Sequence, residues 1–270
     1  RDWSSDVCSS DLRMRRLVLV LATVMAVVLA LPAVAGAAST TRYVALDGLC
    51  GGRTPCYSAI QAAVDASASG DLIKVAGGTY HEHVVVDEQV EIVGAGNATL
   101  VDGDGTGEAV AVVAGGAVVR RIAVTDADAG VAIAAPSVSI AEVRINGTSG
   151  YGLYTDFGVS DATLRKLDVS AAATTGIDIH PGGSNVLIAD SKVHNNGKGI
   201  EAYSTTGTAV RNTEISGNAT TGFQIGWSSG WAITGSKILR NGGNGVLTDT
   251  SGDGSVAGNE IRLNGENGVR

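Results

Sequence analysis

Gly176-Ile177-Asp178-Ile179-His180, Gly199-Ile200-Glu201-Ala202-Tyr203, Gly222-Phe223-Gln224-Ile225-Gly226 and Gly245-Val246-Leu247-Thr248-Asp249 are one segment written four times, 23 residues apart. One and three places after each glycine the residues are mostly apolar, and two and four places after it mostly polar. A period of two marks a strand with one face buried and the other in solvent. The same glycine recurs upstream at Gly152 and Gly130 and downstream at Gly268, at intervals of 22 to 24 residues.

Each period holds two more β-rich segments. The second is seen in Val186-Leu187-Ile188, Ala209-Val210 and Trp231-Ala232-Ile233, and the third ends at Val169, Val193, Ile215, Ile238 and Ile261. Three strands this short, broken by Gly, Asn, Ser and Asp turns, cannot pair within one period. Each must pair with its equivalent in the next coil. The pattern therefore predicts an all-β, right-handed parallel β-helix with three strands per coil, because parallel crossovers are almost always right-handed. A leucine-rich horseshoe would show its Leu and Asn consensus, and a propeller blade needs about twice the period. Asn218, Asn241 and Asn264 recur three residues after Ile215, Ile238 and Ile261, with Asn195 or Asn196 in that place one coil earlier. Stacked amides that satisfy turn backbone explain this better than ligands for a substrate.

Composition narrows the function classes. Of 270 residues 38 are glycine and 4 proline, 44% are apolar and 17% charged, and the formal net charge is −8. Such apolar content excludes disorder, scarce proline excludes collagen, and acidity without a basic run excludes a nucleic-acid partner. Met14, Arg15 and Arg16 followed by the apolar run 17–31 and small residues to Ala38 read as a secretory signal over 14–38, with an uncleaved anchor as the alternative. Residues 1–13 resemble a translated sequencing-adapter peptide and are set apart from the fold. The body, 43–270, is expected to be secreted or displayed at the cell surface, monomeric and without a membrane span. It stops at Glu266–Arg270, just inside a new coil, and so is expected to be truncated. Cys50 and Cys56 flank a turn-rich loop short enough to close as a disulfide in an oxidising compartment. A zinc pair would need two further ligands nearby.

Ser58-Ala59-Ile60-Gln61 reads as a capping box that opens a helix running to about Ser69, a lid on the first coil. The stretch Tyr57 to Gly96, with Ile60-Gln61-Ala62-Ala63-Val64-Asp65-Ala66, Gly70-Asp71, Gly78-Thr79-Tyr80-His81-Glu82 and Val93-Gly94-Ala95-Gly96, resembles the opening of the secreted right-handed β-helix, pectin-lyase-like superfamily, and is similar to that of pectin methylesterases. The resemblance implies the fold and a polysaccharide or cell-surface glycan as partner. It implies no single activity, since the superfamily holds lyases, hydrolases, esterases, epimerases and noncatalytic proteins. The signatures of the esterases and of the polygalacturonase-like hydrolases do not occur in the chain.

Coils about 4.8 Å apart align outward residues into columns. One column reads Tyr154, Asp178, Glu201, Gln224, Leu247, and its neighbour reads Asp156, His180, Tyr203, Gly226, Asp249, with Trp227 just past the strand. Carboxylates, an imidazole and aromatic rings on one wet face suit a sugar chain. Asp178, His180, Glu201 and Tyr203 are the expected catalytic centre, and Tyr154, Asp156, Gln224, Trp227 and Asp249 the expected substrate contacts. His180 and Tyr203 would act as acid and base on a uronic-acid carbon, giving lyase or epimerase chemistry. Gly176-Ile177-Asp178-Ile179-His180-Pro181 resembles the Gly-aromatic-Asp-Pro-His stretch of alginate epimerases. No Arg or Lys occupies these columns, which disfavours an Arg- or Lys-based lyase. Asp178 with Glu201 would instead serve a retaining hydrolase. The contrasting reading is a noncatalytic scaffold or glycan-binding protein. Asp102, Asp104 and Glu108 sit in a Gly-rich loop with alternating oxygen ligands, a candidate Ca2+ site weighed against a solvated turn. His81-Glu82-His83 reads as structural.

Overall fold

The computed structural model describes residues 39–270. The adapter-like stretch 1–13 and the signal 14–38 lie outside the described residues. From Thr41 onward the chain coils into three parallel sheets of eleven, nine and eight strands. Successive coils supply Ser139–Ala141, Thr163–Arg165, Leu187–Ala189 and Ala209–Arg211 to the first sheet. They supply Arg144–Asn146, Asp168–Ser170, Lys192–His194 and Glu214–Ser216 to the second. Tyr151–Thr155, Thr175–Ile179, Lys198–Tyr203 and Phe223–Gly226 belong to the third. All pairings are parallel and in register, as the period requires. First- and second-sheet strands end about one residue later than the apolar pattern indicates, because an outward residue still completes the ladder.

The core is three inward columns. Val131, Leu153, Ile177, Ile200, Phe223 and Val246 line up in the third sheet, each fully buried. Ile140, Leu164, Ile188, Val210 and Ile233 do so in the first, and Ile145, Val169, Val193, Ile215 and Ile238 in the second. The repeating glycine is not a turn residue. Gly176 lies inside its strand, and a Cβ there would stand 2.6 Å from Val193 Cγ1 and 2.8 Å from the Gly199 carbonyl. Backbone approach, not a left-handed φ, demands glycine there. The left-handed corners after the first-sheet strands hold Arg121, Glu142, Lys166, Asp190 and Asn212 instead.

A buried amide column resolves the one-residue ambiguity in favour of Asn196. Asn196, Asn218 and Asn241 each donate Nδ2–H to the Oδ1 of the next asparagine, ending at Asn264, over 2.9 to 3.1 Å. The second-sheet outward column alternates in sign along Arg144, Asp168, Lys192, Glu214, Lys237 and Glu260. Opposite charges directly across a sheet attract, so this face is close to self-neutralised.

Helix α1 spans Ile60–Asp65 and packs Ile60, Ala63 and Val64 into the end of the core. It is shorter than expected, and the capping box does not form. Ala59 occupies the N-cap without a side-chain bond. Glu82 accepts the Ile60 and Gln61 amides instead, both at 2.9 Å, while Gln61 Oε1 accepts Val85 N–H at 2.7 Å. A carboxylate satisfies two first-turn donors and opposes the helix dipole better than a hydroxyl can. Replacing Glu82 by Ala should cost about 1–2 kcal/mol in chemical denaturation, the scale of a lost cap. Cys50 and Cys56 are disulfide-bonded and close the loop ahead of this helix.

Candidate functional site

Register places the expected column as read from the spacing. Tyr154 pairs with Asp178, Asp178 with Glu201, Glu201 with Gln224, and Gln224 with Leu247. Asp178 departs from the expectation of a solvent-facing carboxylate, being 8% exposed. Burial, reinforced by the neighbouring Glu201 charge, pushes its carboxyl up to about 6, against the opposing pull of His180 and Lys198. His180 Nε2 lies 3.6 Å from Asp178 Oδ2. Its ring stacks on Tyr154 at 5.3 Å between centroids, with Tyr151 at 6.1 Å edge-on and Phe157 at 5.4 Å. Nδ1 of His180 is buried and has no hydrogen-bond partner among the described residues.

A third column, unnoticed in the spacing, completes the site. Tyr151, on the residue before its glycine, and Lys198, in the same place two coils on, flank the Asp178–Glu201 pair. Lys198 Nζ donates to Glu201 Oε1 at 2.6 Å, so a lysine does serve this face, contrary to expectation. The glycine kink breaks the alternation and swings the preceding residue outward, which a strict period-two count misses. Phe157 is 72% exposed on the turn beyond Tyr154. Its neighbour Asp156 accepts the Phe157 amide at 2.8 Å, which holds the turn.

Glu108 also belongs here. It accepts the Tyr154 hydroxyl at 3.0 Å across two coils, and burial together with that bond raises the phenol to about 12. Glu108 is thus tied to Tyr154 and does not join the cluster that Asp102 and Asp104 form. Asp102 and Asp104 gather with His81 instead, the His81 Nδ1 to Asp104 Oδ1 distance being 2.8 Å. Two carboxylates and an imidazole fit calcium poorly, since that ion takes six to eight oxygens.

The other expected residues are not brought to Asp178. Tyr203 and His180 lie in adjacent coils but do not face each other. The Tyr203 ring lies over Gly226, where a Cβ would meet it at 2.5 Å, whereas His180 turns back onto Tyr154. The absence of a side chain at Gly226 gives the ring that place. Gln224 continues the column without a hydrogen bond that ties it to the carboxylates. Asp249 pairs with Gly226 and accepts the Thr250 hydroxyl at 3.0 Å. Trp227 stands 63% exposed at a left-handed corner.

Coils stacked in three parallel sheets define a parallel β-helix of the pectin-lyase-like fold. The sequence over 107–270 matches the family described as right handed beta helix region, and the chain belongs to that family. Among solved structures it is similar to pectate lyase Pel9A, at 15% identity and TM-score 0.66 over 85% of this chain and 80% of that one. It is also similar to an alginate lyase from Paenibacillus sp. str. FPU-7, at 15% and 0.62 over 85% and 98%. The periplasmic alginate epimerase AlgG aligns at 12% and 0.57 over 71% and 60%. No curated protein matches the sequence. Among the described residues no helix is long and apolar enough to cross a membrane.

Proposed function

We propose that the third-sheet face from Glu108 to Glu201 binds a chain of an extracellular polysaccharide and transfers a proton to it, with Asp178 as the acid. The observation that carries this is the buried Asp178 carboxyl, raised to about 6 beside a second carboxylate that is paired with Lys198. A solenoid needs no carboxyl buried on its outer face, and such a group is costly unless it is used. Register sets Asp178 and Glu201 side by side in one outward column, a carboxyl pair of the kind that retaining glycoside hydrolysis uses. Asp178 would protonate the glycosidic oxygen while Glu201 meets the anomeric carbon. Tyr151, Tyr154 and Phe157 supply apolar faces on which pyranose rings stack. Export of the body and a monomeric state accompany this reading.

Elimination or epimerisation at a uronate is a second reading, favoured by His180 beside Asp178 and by the printed titles of the structural neighbours. A panel of neutral and acidic polysaccharides separates the two. New reducing ends without absorbance from unsaturated uronate, abolished in Glu201→Gln and retained in His180→Gln, are the expected result. Unsaturated or epimerised product lost in His180→Gln selects the second reading. No product from any polymer, with binding intact, leaves a noncatalytic glycan-binding face.

A further inference from the structure

The first sheet carries a pattern of a different kind. Register aligns Lys74, Val93, Arg120, Ala141, Arg165, Ala189, Arg211 and Thr234 in one outward column. Every second coil bears a cation, and the coils between bear small or uncharged residues. Two coils are about 9.6 Å, so the four cations span about 29 Å along the axis. At its N-terminal end the column meets Tyr43, which pairs with Lys74 and lies beneath the Arg53 guanidinium at 5.5 Å. Tyr43, Arg53 and Lys74 line a cleft of about 520 Å3, closed on one side by the Cys50–Cys56 loop. Asp47 also lines it, but its carboxylate already accepts the Leu49 amide at 2.9 Å.

The charges are available. Among the described residues Arg53, Lys74 and Arg211 form no ion pair, while Arg120 has Glu91 at 2.6 Å and Arg165 has Asp190 at 3.6 Å. Both of those pairs are about half exposed, and exposed pairs are worth ~1 kcal/mol or less, so a polyanion can compete with them. A guanidinium also keeps spare donors when it holds one carboxylate. The second-sheet column, by contrast, alternates in sign and cancels itself.

We infer that the first sheet is a binding track for a linear polysaccharide whose carboxylates recur at about every second sugar on one side, a polyuronate laid along the solenoid axis with one end in the Tyr43–Arg53–Lys74 cleft. The cation repeat of two coils matches the length of an extended disaccharide, and the coils between the cations add no charge to the column. Nucleic acid is not the occupant that this column favours, because its phosphates crowd closer than one per two coils and no aromatic ring stands between the cations to take a base. The track is separate from the third-sheet face and needs no turnover there. It also assigns anionic polymer to a sheet face of this acidic protein on which cations recur in series with no acidic residue in the same column.

The test is affinity for oligogalacturonates of increasing length, measured by titration calorimetry at low and high salt. Wild type should bind more tightly as the oligomer lengthens and more weakly as salt rises. Arg120→Gln/Arg165→Gln/Arg211→Gln should lose at least tenfold and most of the salt dependence, with an unchanged unfolding midpoint showing that it folds. Arg165→Ala/Ala141→Arg keeps the charge but breaks the spacing, and should lose severalfold. Lys192→Gln/Lys237→Gln, which removes two cations from the second sheet, should bind as wild type does, which assigns the loss to the first-sheet column and not to overall charge. Equal binding by the triple or spacing variant, equal affinity for neutral oligosaccharide, or tighter binding of oligo-dT would each overturn the inference.

Discussion

Asp178→Asn should make the protein more stable and inactive at once. In the native chain the carboxyl sits near 6 against an ordinary value of 3.8, mainly because burial disfavours its charged form. The folded state therefore binds this proton more tightly than the unfolded chain does. Stability from this group falls as pH rises from about 4 through 6, and above that range the buried charge is a standing cost. Two pKa units at about 1.4 kcal/mol each put that cost at roughly 2–3 kcal/mol. The neutral isostere is free of it. At pH 8 the variant should melt roughly 5–10 °C higher than wild type, the gap closing as pH approaches 4. Turnover should fall by about 10²–10⁴, the usual contribution of a positioned acid. Wild-type activity should decline above pH 6 as the donor ionises. A variant that is less stable at pH 8 would mean that Asp178 is held there by its contacts and not strained for use.

The largest loss of stability is expected at Asn218→Ala. Asn218 is 1% exposed, and its Oδ1 accepts both the Asn196 amide at 3.0 Å and Asn196 Nδ2–H at 3.1 Å. Its Nδ2 donates to the Val193 carbonyl and to Asn241 Oδ1. Truncation leaves the Asn196 N–H and the Val193 carbonyl buried with fewer partners and opens a void between coils. At about 1–3 kcal/mol for each stranded group, the sum should reach roughly 3–5 kcal/mol by denaturant titration. The same change at Asn264, partly buried at its end of the column, should cost about half as much. Equal losses at the two positions would show that the column is not an additive stack.

The site was partly legible. Asp178, Glu201, Gln224 and Tyr154 were placed in one column by spacing alone, because in-register coils turn a period into a spatial address. Tyr151 and Lys198 were missed because the glycine kink adds a residue to the alternation. The bond between Glu108 and Tyr154 is not legible in the sequence, because the two lie 46 residues apart, beyond any local motif. For His180 and Tyr203 the spacing gives adjacent coils but not the direction of the rings. Adjacent coils fix where two Cα atoms stand, but packing against Tyr154 or over Gly226 decides which way each ring points.

The 23-residue period, read with its alternation, determined the solenoid, its three strands per coil and its inward columns, since each follows from which side chains must avoid water. The wider electrostatic pattern needed the fold. Lys74, Arg120, Arg165 and Arg211 already recur every 45 or 46 residues, two periods apart, but only strand pairing shows that they share one outward column with uncharged coils between them. The buried state of Asp178 is likewise a property of the neighbours that close over it and not of its polar position in the repeat. Hydrophobic burial is written locally, residue by residue; charge acts through space, so its meaning was decided only when the coils were stacked.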